Sequence, residues 1–306
     1  MKTSYHLMTV KESTMTGVHR ELDKSGKREY RRKMIRAFLR NRTAAAGLLL
    51  LLIVVPVAVF SPVLTPYDPN AQDLALQLQA PSTRHWLGTD NFGRDLFSRI
   101  LLGGQVSILV GISSVLLGVV IGVPFGLLSG YYGGKVDATI TRFVDVLMSF
   151  PPLLIGLMVL AALGPGITNL IISIAAAFAP RFVRMARAPT MAVKEREFVT
   201  ACRAVGMSDK RILIRHVLPN IMGDVVVMAT LWTATAIRLE ANLSFIGIGV
   251  QPPTSSWGVM IRSGVDYLTN APWICIYCGL AIMVTVLSFN LIGDGLRDVV
   301  DPKLRG

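Results

Sequence analysis

The chain has 306 residues, of which 52% are hydrophobic and only 16% charged, with a mean hydropathy of +0.53 and a formal net charge of +12. Soluble domains carry about 25% charged residues, so this balance excludes an ordinary soluble protein and indicates an integral membrane one. The basic stretches lack the interleaved aromatics that stack on bases, which argues against nucleic acid, and three cysteines make no disulfide framework.

Residues 1–42 form a basic tail with twelve Lys and Arg. Its length and the absence of a small-residue cleavage site do not fit a secretory signal. The stretch "KREYRRKMIRAFLRNR" is expected to lie along an anionic lipid leaflet, where each cation contributes about 1 kcal/mol. A helical span needs about 20 mostly apolar residues, and the apolar runs here are too long for barrel strands. The first span, residues 43–66, contains "AAAGLLLLLIVVPVAVFSPVL". Residues 67–102 follow as a loop. In it Leu96, Phe97, Ile100 and Leu101 recur at helical spacing among Arg94, Asp95 and Arg99, which predicts a short amphipathic helix lying in the membrane interface.

Residues 103–295 hold five further spans. The second lies within 100–134. The third and fourth share the uncharged stretch 146–180, split by "LGPG" at 163–166; the third starts near Thr139, and Pro151 and Pro152 are expected to bend it. The fifth covers about 221–249 and the sixth lies within 267–293, leaving a tail at 296–306. The expected fold is all-α, with six transmembrane helices and both termini on one side. Lys and Arg divide about 26 to 4 between the two sides, which puts the termini and the 195–219 loop in the cytoplasm.

That loop is the most informative stretch. Phe198, Ala201, Cys202 and Val205 fall at i, i+3, i+4 and i+7, one apolar stripe of a helix, opposite Arg196, Thr200 and Arg203. Gly206 stops this helix, Ser208 or Asp209 can cap a second one, and Ile212, Leu213, His216 and Val217 give the second helix an apolar side. Pro219 ends the run and begins the return to the membrane. Two short helices joined at a glycine corner follow, each with one apolar face. Those faces lie either on the protein's own spans or lipid headgroups, or in a groove on a soluble partner.

Arg238 and Glu240 sit inside the fifth span, where charges face a cavity or a partner. Two readings apply: a translocation pathway, or an interhelical or intersubunit ion pair. Cys275 and Cys278 form a C-x-x-C in an apolar run and read as small packing residues. None of the four histidines pairs with a cysteine or carboxylate at ligand spacing, so no metal site is expected. Neither an H-E-x-x-H motif nor a paired-acid constellation suggests catalytic residues, and no G-x-x-x-x-G-K-[ST] phosphate loop is present.

The 195–219 loop resembles the cytoplasmic coupling loop of ABC importer permeases, whose pattern is E-A-A, three residues, Gly, nine residues, I-x-L-P. Thr200, Ala201, Cys202, Gly206, His216, Val217, Leu218 and Pro219 stand at those positions, with Thr200, Cys202 and His216 replacing Glu, Ala and Ile. "PYDPNAQDL", "HWLGTDNFGRDLFSR", "LSGYYGGKVD", "LSFIGIGVQPPTSSWGVM" and "FNLIGDGLRDVVDPKL" are similar to the dipeptide, oligopeptide and nickel subfamily. The resemblance implies a type I ABC importer (MetI-like) transmembrane fold in a bacterial inner membrane and a permease for di- or oligopeptides, or else for nickel, other metal-chelate or glutathione-like solutes. It also implies a homologous second permease, two ATPase subunits that bind ATP and Mg, and an extracytoplasmic solute-binding protein. By the same resemblance Glu197, Phe198, Ala201, Cys202, Val205, Gly206, Asp209, Leu213 and His216 would contact the ATPases. A stand-alone secondary transporter is the competing class, but no inverted repeat is visible.

Overall fold

The computed structural model describes residues 38–300, so most of the basic tail and the last six residues lie outside the described part. All regular structure within it is helical, apart from one isolated bridge between Thr89 and Asp95. Five helices are long and apolar enough to cross a membrane, or six when a bent pair counts as one span.

Helix α1 (Arg42–Val59) starts at Asn41, whose side chain accepts from the Thr43 and Ala44 amides. It lies at the periphery against the last long helix, with Leu49, Leu52 and Ile53 exposed. A single turn, α2 (Ser61–Leu64), leads into a long connection.

The expected interfacial helix after Phe92 does not form as a separate element. Leu96 is instead the first residue of α3 (Leu96–Tyr132), a 37-residue helix that runs straight into the bundle. The charges around its start are buried rather than presented to water. Asp95 caps the helix by accepting from the Ser98 amide (2.8 Å) and also holds His85 Nδ1 (2.9 Å). Arg94 Nε donates to Asp90 (2.7 Å), and Arg99 Nη1 donates to the Pro69 carbonyl (2.9 Å). Buried charges must be paired, and this network pairs each one. The i, i+3, i+4 pattern was real but marked the first two turns of a span.

At about 1.5 Å per residue α3 is roughly 55 Å long, longer than the roughly 30 Å apolar core of a bilayer. Its last turns therefore project beyond it, to the end of the bundle that carries the 195–219 loop. Gly133 (φ +66°) turns the chain into α4 (Gly134–Met148). A 91° bend at 149–151 separates α4 from α5 (Pro152–Leu163). The bend falls at Pro151 and Pro152, where proline disfavours continued helix.

Helix α6 (Ile167–Lys194) extends fourteen residues past Pro180, the end of the uncharged stretch that the third and fourth spans were expected to share, and makes the most extensive helix packing among the described residues against α3. Gly122, Gly126 and Gly130 form the α3 side of that seam; a side chain at Gly126 would meet the Val183 carbonyl at 2.5 Å. Small residues four apart let helix backbones approach closely. Arg187 of α6 makes a bidentate bridge to Asp137 of α4 (2.5 and 2.6 Å), fixing α4 across the same seam.

Beyond α6 come α7 (Glu197–Ala204), α8 (Asp209–Ile212), a π-helical turn at Leu213–Val217, and α9 (Leu218–Ile246). Helix α10 (Trp257–Val265) is short and buried on one side, its Trp257 Nε1 donating to the Ile100 carbonyl (3.0 Å). Helix α11 (Trp273–Val300) closes the bundle. Asn41 Nδ2 donates to Asp298 (2.8 Å), so α1 begins and α11 finishes at the same end. The core lies among α3, α5, α6 and α9, where Phe178 and Phe182 pack near Trp232.

Candidate functional site

Helix α7 ends in a Schellman motif: Met207 N–H bonds the Cys202 carbonyl (3.0 Å) and Gly206 N–H the Arg203 carbonyl (2.9 Å). Gly206 has φ +78°, a left-handed conformation that glycine adopts without a side-chain penalty. The expected corner is therefore present at the expected residue.

The second helix differs from the expectation. Helix α8, the π turn and α9 follow one another without a break, so 209–246 is a single helical path. Pro219 does not end it, because proline is tolerated in a helix's first turn. The π turn makes room for the Pro219 ring: Leu218 N–H reaches back to the Leu213 carbonyl, and Asn220 Nδ2 takes up the His216 carbonyl (2.7 Å).

Burial separates the two faces of the loop. Phe198 (36% exposed), Ala201 and Val205 (78% exposed) point outward on α7, while Val199 on the other side is fully buried. Glu197, Gly206 and Asp209 are also exposed; Cys202 and His216 are half-buried. Leu213 (7% exposed), with Ile212 and Val217, packs onto the chain's own spans and is turned away from any outside partner. Thus α7 leaves its apolar stripe uncovered and α8 does not. Arg196, Lys210, Arg211 and Arg215 are exposed cations of the same loop.

Tyr131, a residue sequence reasoning passed over, holds this corner. It is buried in the last turn of α3, and its hydroxyl donates to Asp209 Oδ1 (2.7 Å). Its ring lies under the Arg203 guanidinium (5.2 Å to the centroid), and Lys194 Nζ donates to its carbonyl (3.5 Å). One side chain thus ties the end of α7, the start of α8 and the end of α3. The hydroxyl of Tyr131, then Asp209 and Glu195, raise the Arg203 pKa above the ordinary guanidinium value. The only signal in the sequence was an aromatic pair before "GG" at a helix end.

Arg238 and Glu240 do not form a pair. Glu240 is fully enclosed between α3, α9 and the start of α10, with Oε1 accepting from the Ser244 hydroxyl (2.8 Å), so it lines no open surface. Arg238 is exposed on the other side of α9 and donates to Thr235 (3.1 Å). Asn242 and Phe245, four and seven residues on, are exposed on the same helical face. No group of three or more potential ligands that could hold a metal occurs among the described residues.

Residues 122–306, which include the loop and α9, match the model of the binding-protein-dependent transport system inner membrane component family. The chain belongs to that family. Residues 29–81 also match the N-terminal transmembrane domain of oligopeptide transport permease C. The protein is a permease subunit of a binding-protein-dependent ABC importer, an integral membrane transport subunit.

The permease is 43% identical over 270 residues to a putative peptide transport system permease of Brucella abortus, covering 88% of this chain and 91% of the relative. It is 39% identical to the dipeptide permease DppC of Alkalihalophilus pseudofirmus (90% of each chain) and 43% identical to the glutathione permease GsiD of Escherichia coli (89% and 90%). Among solved structures, the MetNI methionine ABC transporter shares the fold at a TM-score of 0.55 and 19% identity, covering 67% of this chain and 98% of that one. The expected MetI-like fold is therefore present.

Proposed function

We propose that this permease forms half of the translocation pathway of an importer for di- or oligopeptides, driven through its α7–α9 loop by separate ATPase chains. The solute class draws on the relatives named for peptides, dipeptides and glutathione. In this reading a homologous permease supplies the other half of the pathway, a binding protein delivers solute from outside, and two ATPases bind ATP and Mg. The termini and the loop face the cytoplasm, as the distribution of Lys and Arg favours. The permease moves solute without transforming it and contributes no catalytic residue.

The observation that carries this reading is the uncovered stripe Phe198, Ala201 and Val205 on a loop otherwise anchored to the bundle. Completing the burial of Val205 contributes roughly 1.5–3 kcal/mol and that of the already half-covered Phe198 less, together at most the lower end of the roughly 4–15 kcal/mol lost on association. Two large apolar side chains do not suffice alone. The exposed cations of the loop would supply the rest by pairing with carboxylates of the ATPase.

Mechanically, 209–246 acts as a lever. Its base is tied to α3 through Tyr131, and its far half carries Arg238. When the ATPases close on ATP, they carry α7 with them, and the continuous helix passes that displacement to the pathway face of α9. The path then turns outward to the loaded binding protein, and hydrolysis resets it.

Co-purification tests the reading. Tagged wild-type permease, expressed with its partners, should bring down two ATPase chains. Val205→Asp should reduce their recovery by about tenfold, the effect of placing a desolvated charge at an interface core, where each 1.4 kcal/mol is a factor of ten. Undiminished recovery with both Val205→Asp and Phe198→Asp would exclude the loop as the docking element.

A further inference from the structure

The end of the bundle opposite the loop carries a cleft of about 560 Å³ between the end of α9 and α10. Phe245, Gln251, Arg262, Ser263 and Asp266 are among the residues that line it. Gly247, at φ +99° where α9 ends, lacks the side chain that would collide with Arg262 Nη1, so the backbone makes room for this guanidinium. Asp266 sits one helical turn beyond Arg262, yet no ion pair joins them among the described residues. Two opposite charges thus line one cleft without a direct contact between them.

The cleft is not isolated. Phe245 lies both in its wall and on the exposed face of α9 that continues through Asn242 to Arg238. From Phe245 to Arg238 the helix descends about 10.5 Å. Arg238 on this α9 face and Arg262 and Asp266 of α10 in the adjoining cleft therefore place two cations and one carboxylate on the outer side of the bundle. A guanidinium with no direct carboxylate partner attracts anions and binds carboxylates through charge-assisted hydrogen bonds.

We propose that these charges line the outer part of the solute path and that it favours short peptides with a free amino terminus and two carboxylates. Asp266 receives the ammonium, Arg262 one carboxylate at the mouth and Arg238 the second, deeper in. An extended peptide spans about 3.3–3.6 Å per residue, so two or three residues match the axial distance from the cleft to Arg238. The assignment rests on the peptide-importer reading and adds a charge preference to it.

The complete importer, reconstituted with its binding protein in proteoliposomes, provides the test. Uptake of alanyl-glutamate and alanyl-alanine is measured at saturating loaded binding protein, and the affinity of the isolated binding protein for each peptide is determined separately. Arg262→Gln should lower the acidic-to-neutral uptake ratio by about tenfold, within the range for loss of a hydrogen bond to a charged group. Arg262→Lys should restore part of the ratio. Asp266→Asn should reduce the preference for alanyl-glutamate over its N-acetylated form. If Arg262→Gln does not assemble, Arg238→Gln, whose side chain makes a single described contact, gives the same readout. A ratio shifted less than about twofold in the assembled, ATP-hydrolysing variants overturns the charge preference, since one lost ionic contact is worth more than that. Failure of the wild-type importer to take up either peptide overturns the peptide reading itself, and the preference with it.

Discussion

One hydroxyl joins the loop to the rest of the molecule. Tyr131 donates to Asp209, and the aromatic ring beneath it supports Arg203. Tyr131→Phe keeps the buried ring but leaves Asp209 without this partner, removing about 1.5–3 kcal/mol if the bond is fully shielded and less where water reaches it. The expected result is a folded permease that still recruits its ATPases but moves fewer peptides per ATP; the ratio of the two rates in proteoliposomes checks this, and an unchanged ratio removes Tyr131 from the transmission path. At this scale the sequence was partly legible. Gly206 was readable because a left-handed corner nearly requires glycine, and the outward stripe on α7 was readable from its spacing. The inward turn of Leu213 was not, since the same periodicity describes a face on lipid, on a partner or on the chain's own spans. Tyr131 lies 78 residues from Asp209, a separation no local pattern encodes.

The long helices are positioned by how closely their backbones can approach. Gly122, Gly126 and Gly130 of α3 lie four residues apart, and side chains there would come within 2.6 Å of backbone carbonyls on α6. Since neither backbone can shift without separating the helices, Gly126→Val should cost at least the roughly 1–3 kcal/mol of ordinary overpacking. Detergent-solubilised Gly126→Val should unfold at a lower temperature than wild type, while Gly279→Ala, whose added carbon meets nothing within 4 Å, should not. Equal unfolding temperatures would mean that the seam contributes no close packing. The apolar runs located the five long helices, and the proline pair located the 91° bend within the expected third span. Helix ends were harder. Hydropathy stops at Pro180, whereas α6 continues to Lys194, because beyond Pro180 the helix is held by Asp137, Asp145 and α3 rather than by lipid. The start of α3 was misread for the converse reason: its charges are satisfied by a folded loop, so polarity did not mark an interface.

As a whole, the permease is a bundle with one anchored, partly uncovered loop at one end and a charged cleft at the other, joined by the continuous path 209–246. The two helices meet at Gly206 as expected, but the second does not end at Pro219. In the proposed mechanism this unbroken path is the link by which movement of the loop would displace the face carrying Arg238. The central claim is that Val205 is seated in an ATPase chain in the assembled importer. Placing a photo-crosslinking amino acid at position 205, and at buried position 199 as the control, tests it most directly. Irradiation should join the permease to the ATPase from position 205 and not from 199; capture of only lipid or the permease itself from position 205 would contradict the account.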